Sequence, residues 1–392
     1  MTLLTHSLTL QNNKNTMEKI LIKNGILYDP STHEMYKGDL AVAGDKIVPI
    51  DDAKADIIID AENCIVTPGL IDFHLHCFSG GSDGACDADT FCLPNGTTTC
   101  IDAGTSGSAN FTDFYSSVIS RSQTRVLALL HVAEEGLTTG KHPENQTPTD
   151  WDTERIEKLV LKYPEIVGLK IRQGHAICDP FGLHDEPVIE GIQFAETLGK
   201  KVVVHVNNPN VPIEKIASEL RPGDVFCHMY AGTDENIIDS NGKVKQGIKE
   251  ARSRGVLFDA CNGKGNFLFD VAEPAIKDSF FPDIISSDNS PVGNYRHPLV
   301  SLPRLLSKYL MFGMDLKDVF DCATIKPAQW INKESLASLK IGTESDIAIW
   351  KLENKKIVHR DMNGTERFGN NVLIPQLTIR DGVIVYSQSD FL

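Results

Sequence analysis

The sequence predicts an α/β protein: a (β/α)8 TIM barrel over residues 67–337 joined to a small β-sandwich built from residues 18–66 and 338–392. Three observations carry this. Eight short apolar runs, rich in Val, Ile and Leu as buried parallel strands are, recur through the middle of the chain. Helix-like segments separate several of them, and strand alternating with helix is the pattern of such a barrel. The two ends share a different texture, of short strands broken by Gly, Pro and Asp turns, which suits one small sheet formed from both termini.

Residues 1–17 read as a disordered extension ahead of an internal Met17. "KILIKNGILYDPSTHEMYKGDLAVAGDKIVPI" then supplies strands and turns, and "SDIAIWKLENKKIVHRD" and "QLTIRDGVIVYSQ" supply their counterparts at the far end. The eight runs between are "LIDFHLH", "TTTCIDAG", "RVLALLHVAEEG", "IVGLKIRQG", "KVVVHVNN", "DVFCHMYAG", "GVLFDACNG" and "DIISSDNS". "DWDTERIEKLVLKYP" opens with an Asp cap and an acidic first turn and stops at Pro, so a helix is expected there. "DEPVIEGIQFAETLGK" and "SLPRLLSKYLMFG" follow the same logic. The Gly- and Asp-rich link between the first two runs predicts a rudimentary helix.

Composition, at 41% hydrophobic and 23% charged, is that of a globular protein. A formal charge of −15 argues against a general nucleic-acid or anionic-membrane surface, and a small-molecule substrate is expected instead. No apolar run approaches the roughly 18 residues that span a membrane. Nine cysteines, without a CxxC pair, suit free thiols and a cytoplasmic location.

Each run is apolar first and polar last, and barrel active sites sit at the C-terminal strand ends. Run one ends in His74 and His76, which share a face because strand side chains alternate. Run four ends in Lys170 and Arg172, run five in His205, run six in His228 and run eight in Asp288. A pair of satisfied core histidines is the plain alternative for His74 and His76. Five strand ends delivering such residues to one rim favour a metal site, since neutral imidazoles and carboxylates are good ligands.

"PGLIDFHLH" followed by "GLK", "VVVHV", "FCHMY" and "SSDNS" resembles the amidohydrolase superfamily, in its two-metal, dihydroorotase-like branch. The closing "IGTESDIAIWKL" is similar to the family's turn back into the β-sandwich, with Ser345 in place of Ala. The resemblance implies that His74, His76 and Asp288 hold one divalent ion and that His205 and His228 hold the second. It also implies that Lys170 is carboxylated and bridges the two ions, zinc being expected first. A free ammonium has no lone pair for a cation, whereas a carbamate does. A buried lysine paired to Asp288 is the alternative.

Such a centre lowers the pKa of a shared water, and Asp288 is placed to act as base and then acid. Hydrolysis of an amide or ester bond follows. The dihydroorotase-like arginine two residues beyond H-x-H is Phe78 here, and "HVNNP" lacks the Glu expected of a deaminase. "DAGTSG", "GLKIR" and "SSD" most resemble the amidohydrolase/deacetylase metallohydrolases, which implies an N-acyl or O-acyl carboxylate as substrate. Ring opening of a cyclic amide is the runner-up, with a deaminase or a non-catalytic homologue behind it.

Arg172 shares the Lys170 face and suits a substrate carboxylate or, equally, a rim salt bridge. Tyr230 and Asn262, the latter where the family suggests His, are candidate substrate contacts. Glu134 and Glu135 read as solvated carboxylates, Cys77 and Cys227 as packing residues, and His175, His184 and His297 as loop residues near the pocket. "GLTTGKHPENQTPTDW" is long enough to act as a lid. A homo-oligomer, a dimer first, is expected.

Overall fold

The computed structural model describes residues 18–51, 55–139, 142–291, 293 and 299–392. The 1–17 extension and His297 lie outside them. Seven parallel strands form one curled sheet: β6 (Leu70–Leu75), β7 (Thr97–Ala103), β8 (Arg125–His131), β9 (Ile166–Gln173), β10 (Lys201–Val206), β11 (Val225–Cys227) and β12 (Leu257–Asp259). They pair in sequence order from β6 to β12. The eighth apolar run is not a paired strand of that sheet. It makes single parallel bridges instead, Ile284 to Asp259 of β12 and Asn289 to Leu75 of β6, so it touches both sheet edges.

Alternation along the strands sorts side chains between two cores. Val202 and Val204 pack outward with the helices, whereas Val203 faces the interior of the curl beside Ile71, Phe73, Ile101 and Leu129. Trp330 plugs that interior from below, edge-on to Phe73 with ring centroids 4.9 Å apart and its indole N–H donated to Gly223 O at 2.7 Å. The helix Thr153–Lys162 is capped by Asp152, whose side chain accepts the Arg155 N–H at 3.0 Å, and it stops before Pro164. It buries Ile156 and Leu159 against the outer core, each contributing about 1.5–3 kcal/mol. Between β6 and β7 there is only the five-residue helix Ala88–Cys92 and a single turn of 3-10 helix, as the short link predicts.

The second sheet joins β1 (Lys19–Asp29), β2 (Glu34–Ala43), β3 (Lys46–Val48), β4 (Ile57–Asp60) and β5 (Ile65–Pro68) to β13 (Ile347–Arg360), β14 (Glu366–Arg380) and β15 (Val383–Ser387). It is one continuous hydrogen-bonded sheet, with strands from both sequence ends meeting where β5 pairs with β13. β5 ends at Pro68 and β6 begins at Leu70. Asp346 ties this sheet to the parallel one: it is buried, accepts from Arg125 of β8 at 2.7 Å and from Arg380 at 3.2 Å. Ser345 donates its hydroxyl to Gly44 O at 2.7 Å, a bond the family's Ala does not make. No helix among the described residues is long and apolar enough to cross a membrane.

Candidate metal centre

His74, His76, Lys170, His205, His228 and Asp288 converge at the C-terminal ends of the parallel strands. Rings of His74 and His76 lie 5.6 Å apart, of His74 and His228 5.3 Å, and of His205 and His228 4.3 Å. Lys170 Nζ lies 3.4 Å from His74 Nε2, and Asp288 Oδ1 lies 3.4 Å from His76 Nε2 and 3.8 Å from His74 Nε2. One atom each from His74, His76 and Asp288 lies within 4.8 Å of the others, a spacing one cation can bridge.

Simple alternation does not produce this arrangement. Phe73 and His74 are neighbours, yet both face the interior. The ladder between β6 and β7 slips between Asp72 and Leu75, and such a bulge re-aims a side chain. On β11, Cys227 faces inward and His228 is turned to the same side by a left-handed backbone, φ 65°. Asp288 adopts φ 50° and Cys261 φ 32°, so three neighbouring loop positions hold a conformation that costs of order 1 kcal/mol or more. Surrounding bonds hold them there. Asp288 N–H is donated to His74 O at 2.7 Å, and Ser287 N–H to Asp72 Oδ1 at 2.9 Å.

The imidazoles are oriented through their Nδ1 atoms. His76 Nδ1 shares a hydrogen bond with Thr105 Oγ1 at 2.9 Å, and His228 Nδ1 bonds Cys261 O at 2.7 Å. Both leave Nε2 for the centre. Asp102 supports the first of these: fully buried, it accepts the Cys77 N–H at 2.8 Å and the Thr105 N–H at 2.7 Å. That gives "DAGT" a physical role. Cys227 Sγ sits 3.1 Å from His74 Nδ1, so it contacts the site rather than merely packing. Burial pushes His74 down to about 4 and His205 well down, so both are neutral near pH 7 with a lone pair to share. Burial alone raises Asp288, but its hydrogen bond to His76 and the neighbouring imidazoles hold it well below the usual carboxylate range.

Lys170 is inside this cluster, 1% exposed, and its stem packs against Gly104. A Cβ at Gly104, φ 81°, falls 2.6 Å from Lys170 Cγ, so only glycine fits. The donor set fits divalent metal: four imidazoles and a carboxylate, plus a lysine with the reach to bridge. A buried ammonium beside imidazoles is costly, whereas its carbamate would add an anion among cations.

Arg172 points into the cleft but is engaged. Its Nη1 donates to Glu144 Oε1 and Oε2 at 2.9 and 3.0 Å, while Gln146 bonds its backbone on both sides. Of the two readings of Arg172, this pairing matches the salt bridge. Glu144 and Gln146 come from the long loop after β8. Behind Glu144 lies His131, whose Nδ1 accepts the Ala133 N–H at 3.0 Å and whose Nε2 lies 3.5 Å from Glu144 Oε1. Burial pushes the Glu144 carboxyl up, but Arg172 and His131 outweigh it and take it from 4.5 to about 2. A carboxyl lowered on folding stabilises above its unfolded pKa and loses that contribution as pH falls through its folded one. Glu144→Gln is therefore expected to cost on the order of 2–3 kcal/mol near neutral pH. Urea melts should show the gap between the two proteins closing from pH 4.5 towards 2.

Two candidate contacts lie elsewhere. Tyr230 is fully buried and donates its hydroxyl to Phe280 O at 2.8 Å, beside Phe267 and Tyr309. Asn262 is buried too and accepts from Tyr309 at 3.1 Å, on the helix side. The turn after His228, closed by Ala231 N–H on His228 O, carries Tyr230 outward. His175, His184 and Glu135 are exposed and Glu134 is half-buried.

Asn266 was not foreseen. It donates Nδ2 to Asp288 Oδ2 at 2.8 Å and accepts from Asn207 at 2.7 Å, fixing the carboxylate plane. His131 obeys the strand-end rule and was legible in "ALLHV"; Asn266 carried no signal beyond an amide in a Gly-rich loop. The centre opens into a cavity of about 510 Å³, lined by His76, Glu144, Arg172, Lys264 and Asp288 among others.

No family model matches the chain. It is 30% identical over 330 residues to a deacetylase of Agrobacterium fabrum, covering 83% of this chain and 79% of that one. A solved structure of an adenine deaminase superposes with TM-score 0.86 at 25% identity, over 95% of this chain and 100% of the other. A solved dihydroorotase gives 0.85 at 27% identity, over 94% and 98%. The dihydroorotase-like relatives imply a binuclear metal site. The residues at the strand ends can supply it, and the chain belongs to the amidohydrolase superfamily, as a metal-dependent hydrolase acting on carbon–nitrogen bonds.

Proposed function

We propose that the protein hydrolyses the amide or ester bond of a small N-acyl or O-acyl carboxylate, as a deacetylase-like enzyme. Two divalent ions, zinc first, would be held by His74, His76, His205, His228, Asp288 and a carboxylated Lys170. The observation that carries this is the convergence of four imidazoles, Asp288 and a buried Lys170 at one rim. We read the seven strands and the bridging 284–289 segment as a closed (β/α)8 barrel, which is what brings the first and last strand ends together.

When bound, the ions lower the pKa of a water towards neutrality and polarise the scissile carbonyl. Asp288 then takes the proton of the attacking water and delivers it to the leaving nitrogen or oxygen, yielding a carboxylic acid and an amine or alcohol. Asn266 holds Oδ2, which leaves Oδ1 turned towards His76 and His74 for that exchange. Phe78, where a dihydroorotase-like arginine is expected, is buried against Phe114 with ring centroids 4.9 Å apart. It brings no cation to the cleft, which favours linear acyl compounds over dihydroorotate-like rings.

The test is hydrolysis by the zinc-loaded protein of N-acetyl and O-acetyl carboxylates beside hydantoins and dihydropyrimidines. The linear compounds should be cleaved with kcat/KM at least about 100-fold above the rings, a difference of roughly 2.7 kcal/mol. Ring opening without deacylation would assign the chain to cyclic amidohydrolases instead.

A further inference from the structure

Building on the acyl-carboxylate reading above, we propose that Lys264, and not Arg172, receives the substrate's carboxylate. Among the described residues, three fixed charges line the cleft besides the metal-ligand set: Glu144, Arg172 and Lys264. Arg172 and Glu144 cancel each other through two short bonds to a buried carboxylate. Separating them to free the guanidinium would leave Glu144 buried without its cation, which costs more than a new exposed contact returns. Lys264 is half-buried and has no hydrogen bond or ion pair among the described residues, so its charge is the one left uncompensated.

The backbone anchors the loop that carries that charge next to Asp288. Gly263, φ 52°, packs so closely that a Cβ there would lie 2.1 Å from Asp288 Oδ2, and its N–H is donated to Ser287 O at 3.1 Å. Two residues beyond Lys264, Asn266 grips the same Asp288 oxygen at 2.8 Å. The 263–266 loop is thus bonded to Ser287 at one end and to Asp288 at the other, with Lys264 between. In an N-acyl amino acid the carboxylate sits one carbon from the scissile nitrogen, so its receptor must lie beside the proton carrier. Lys264 does. A long, flexible ammonium also tolerates carboxylates at slightly different positions, whereas a clamped guanidinium fixes one.

Calorimetric binding to the zinc-loaded protein, using N-methanesulfonyl amino acids and their carboxamides as probes that are not hydrolysed, tests this apart from turnover. Wild type should bind the carboxylate about tenfold or more tightly than the carboxamide. Lys264→Gln should bring that ratio near one, and Lys264→Arg should keep most of it. The charge-neutral exchange Arg172→Gln with Glu144→Gln should keep it as well. The proposal is overturned if wild type shows no preference, if neither probe binds, if Lys264→Gln retains the preference, or if the neutral exchange abolishes it. A carboxylate preference that depends on Lys264, in a protein that hydrolyses no acyl compound, would refute the deacylase reading and leave the role of Lys264 standing.

Discussion

Asp288→Asn is expected to lower kcat/KM by about 10³–10⁴-fold while leaving the fold intact. Asparagine keeps the size of the side chain and can still accept from Asn266, which now reaches Oδ2 at 2.8 Å. It cannot carry a proton near neutral pH and ligates a cation poorly. The backbone is no obstacle, because asparagine tolerates the φ of 50° found there better than most residues. Steady-state kinetics with an N-acetyl carboxylate, on protein whose far-UV dichroism matches wild type, read the effect. A variant within tenfold of wild type would remove Asp288 from the proton path.

Lys170→Ala is expected to be the second large loss, of about 10³-fold or more, through the metals rather than through folding. The side chain is 1% exposed and its Nζ faces His74 Nε2 at 3.4 Å, with no carboxylate within salt-bridge distance among the described residues. As an ammonium it would repel divalent ions at the point where the imidazoles would gather them. As a carbamate it would supply an anion able to hold two of them together. Alanine leaves a cavity beside Gly104 but also removes a buried charge, so the change in folding stability should stay within about 2 kcal/mol. Urea melts on metal-free protein separate that small term from the loss of activity. A variant that keeps activity would make Lys170 a packing residue.

The strand-end rule found the ligand candidates because a buried strand shows its one polar face at one end. It placed Lys170 and Arg172 on a common inward face, and β9 keeps regular alternation there. It failed where the backbone departs from that period. The bulge before Leu75 and the left-handed His228 are fixed by contacts with β7 and with Cys261, which a local pattern does not contain. Cys227 was therefore read as packing away from the site, and it touches His74. Tyr230 and Asn262 follow strand ends and invited the same rule, but tight turns send both towards Tyr309.

The charge pairing of Arg172 was out of reach for another reason. Its partner Glu144 is 28 residues away on a loop with no periodicity, and only folding brings the two together. The same holds for Asn266 and Asp288. The family resemblance rested on the order of motifs along the whole chain, and relatives over most of its length agree with it. It could not supply the neighbours that each motif residue meets in space.

Metal content per chain tests the central claim most directly. Wild type and Lys170→Ala, produced with zinc and bicarbonate, would be measured by elemental analysis after gel filtration. The account predicts about two ions per chain in wild type and fewer than one in the variant. One ion in both, or none in either, would contradict a lysine-bridged pair.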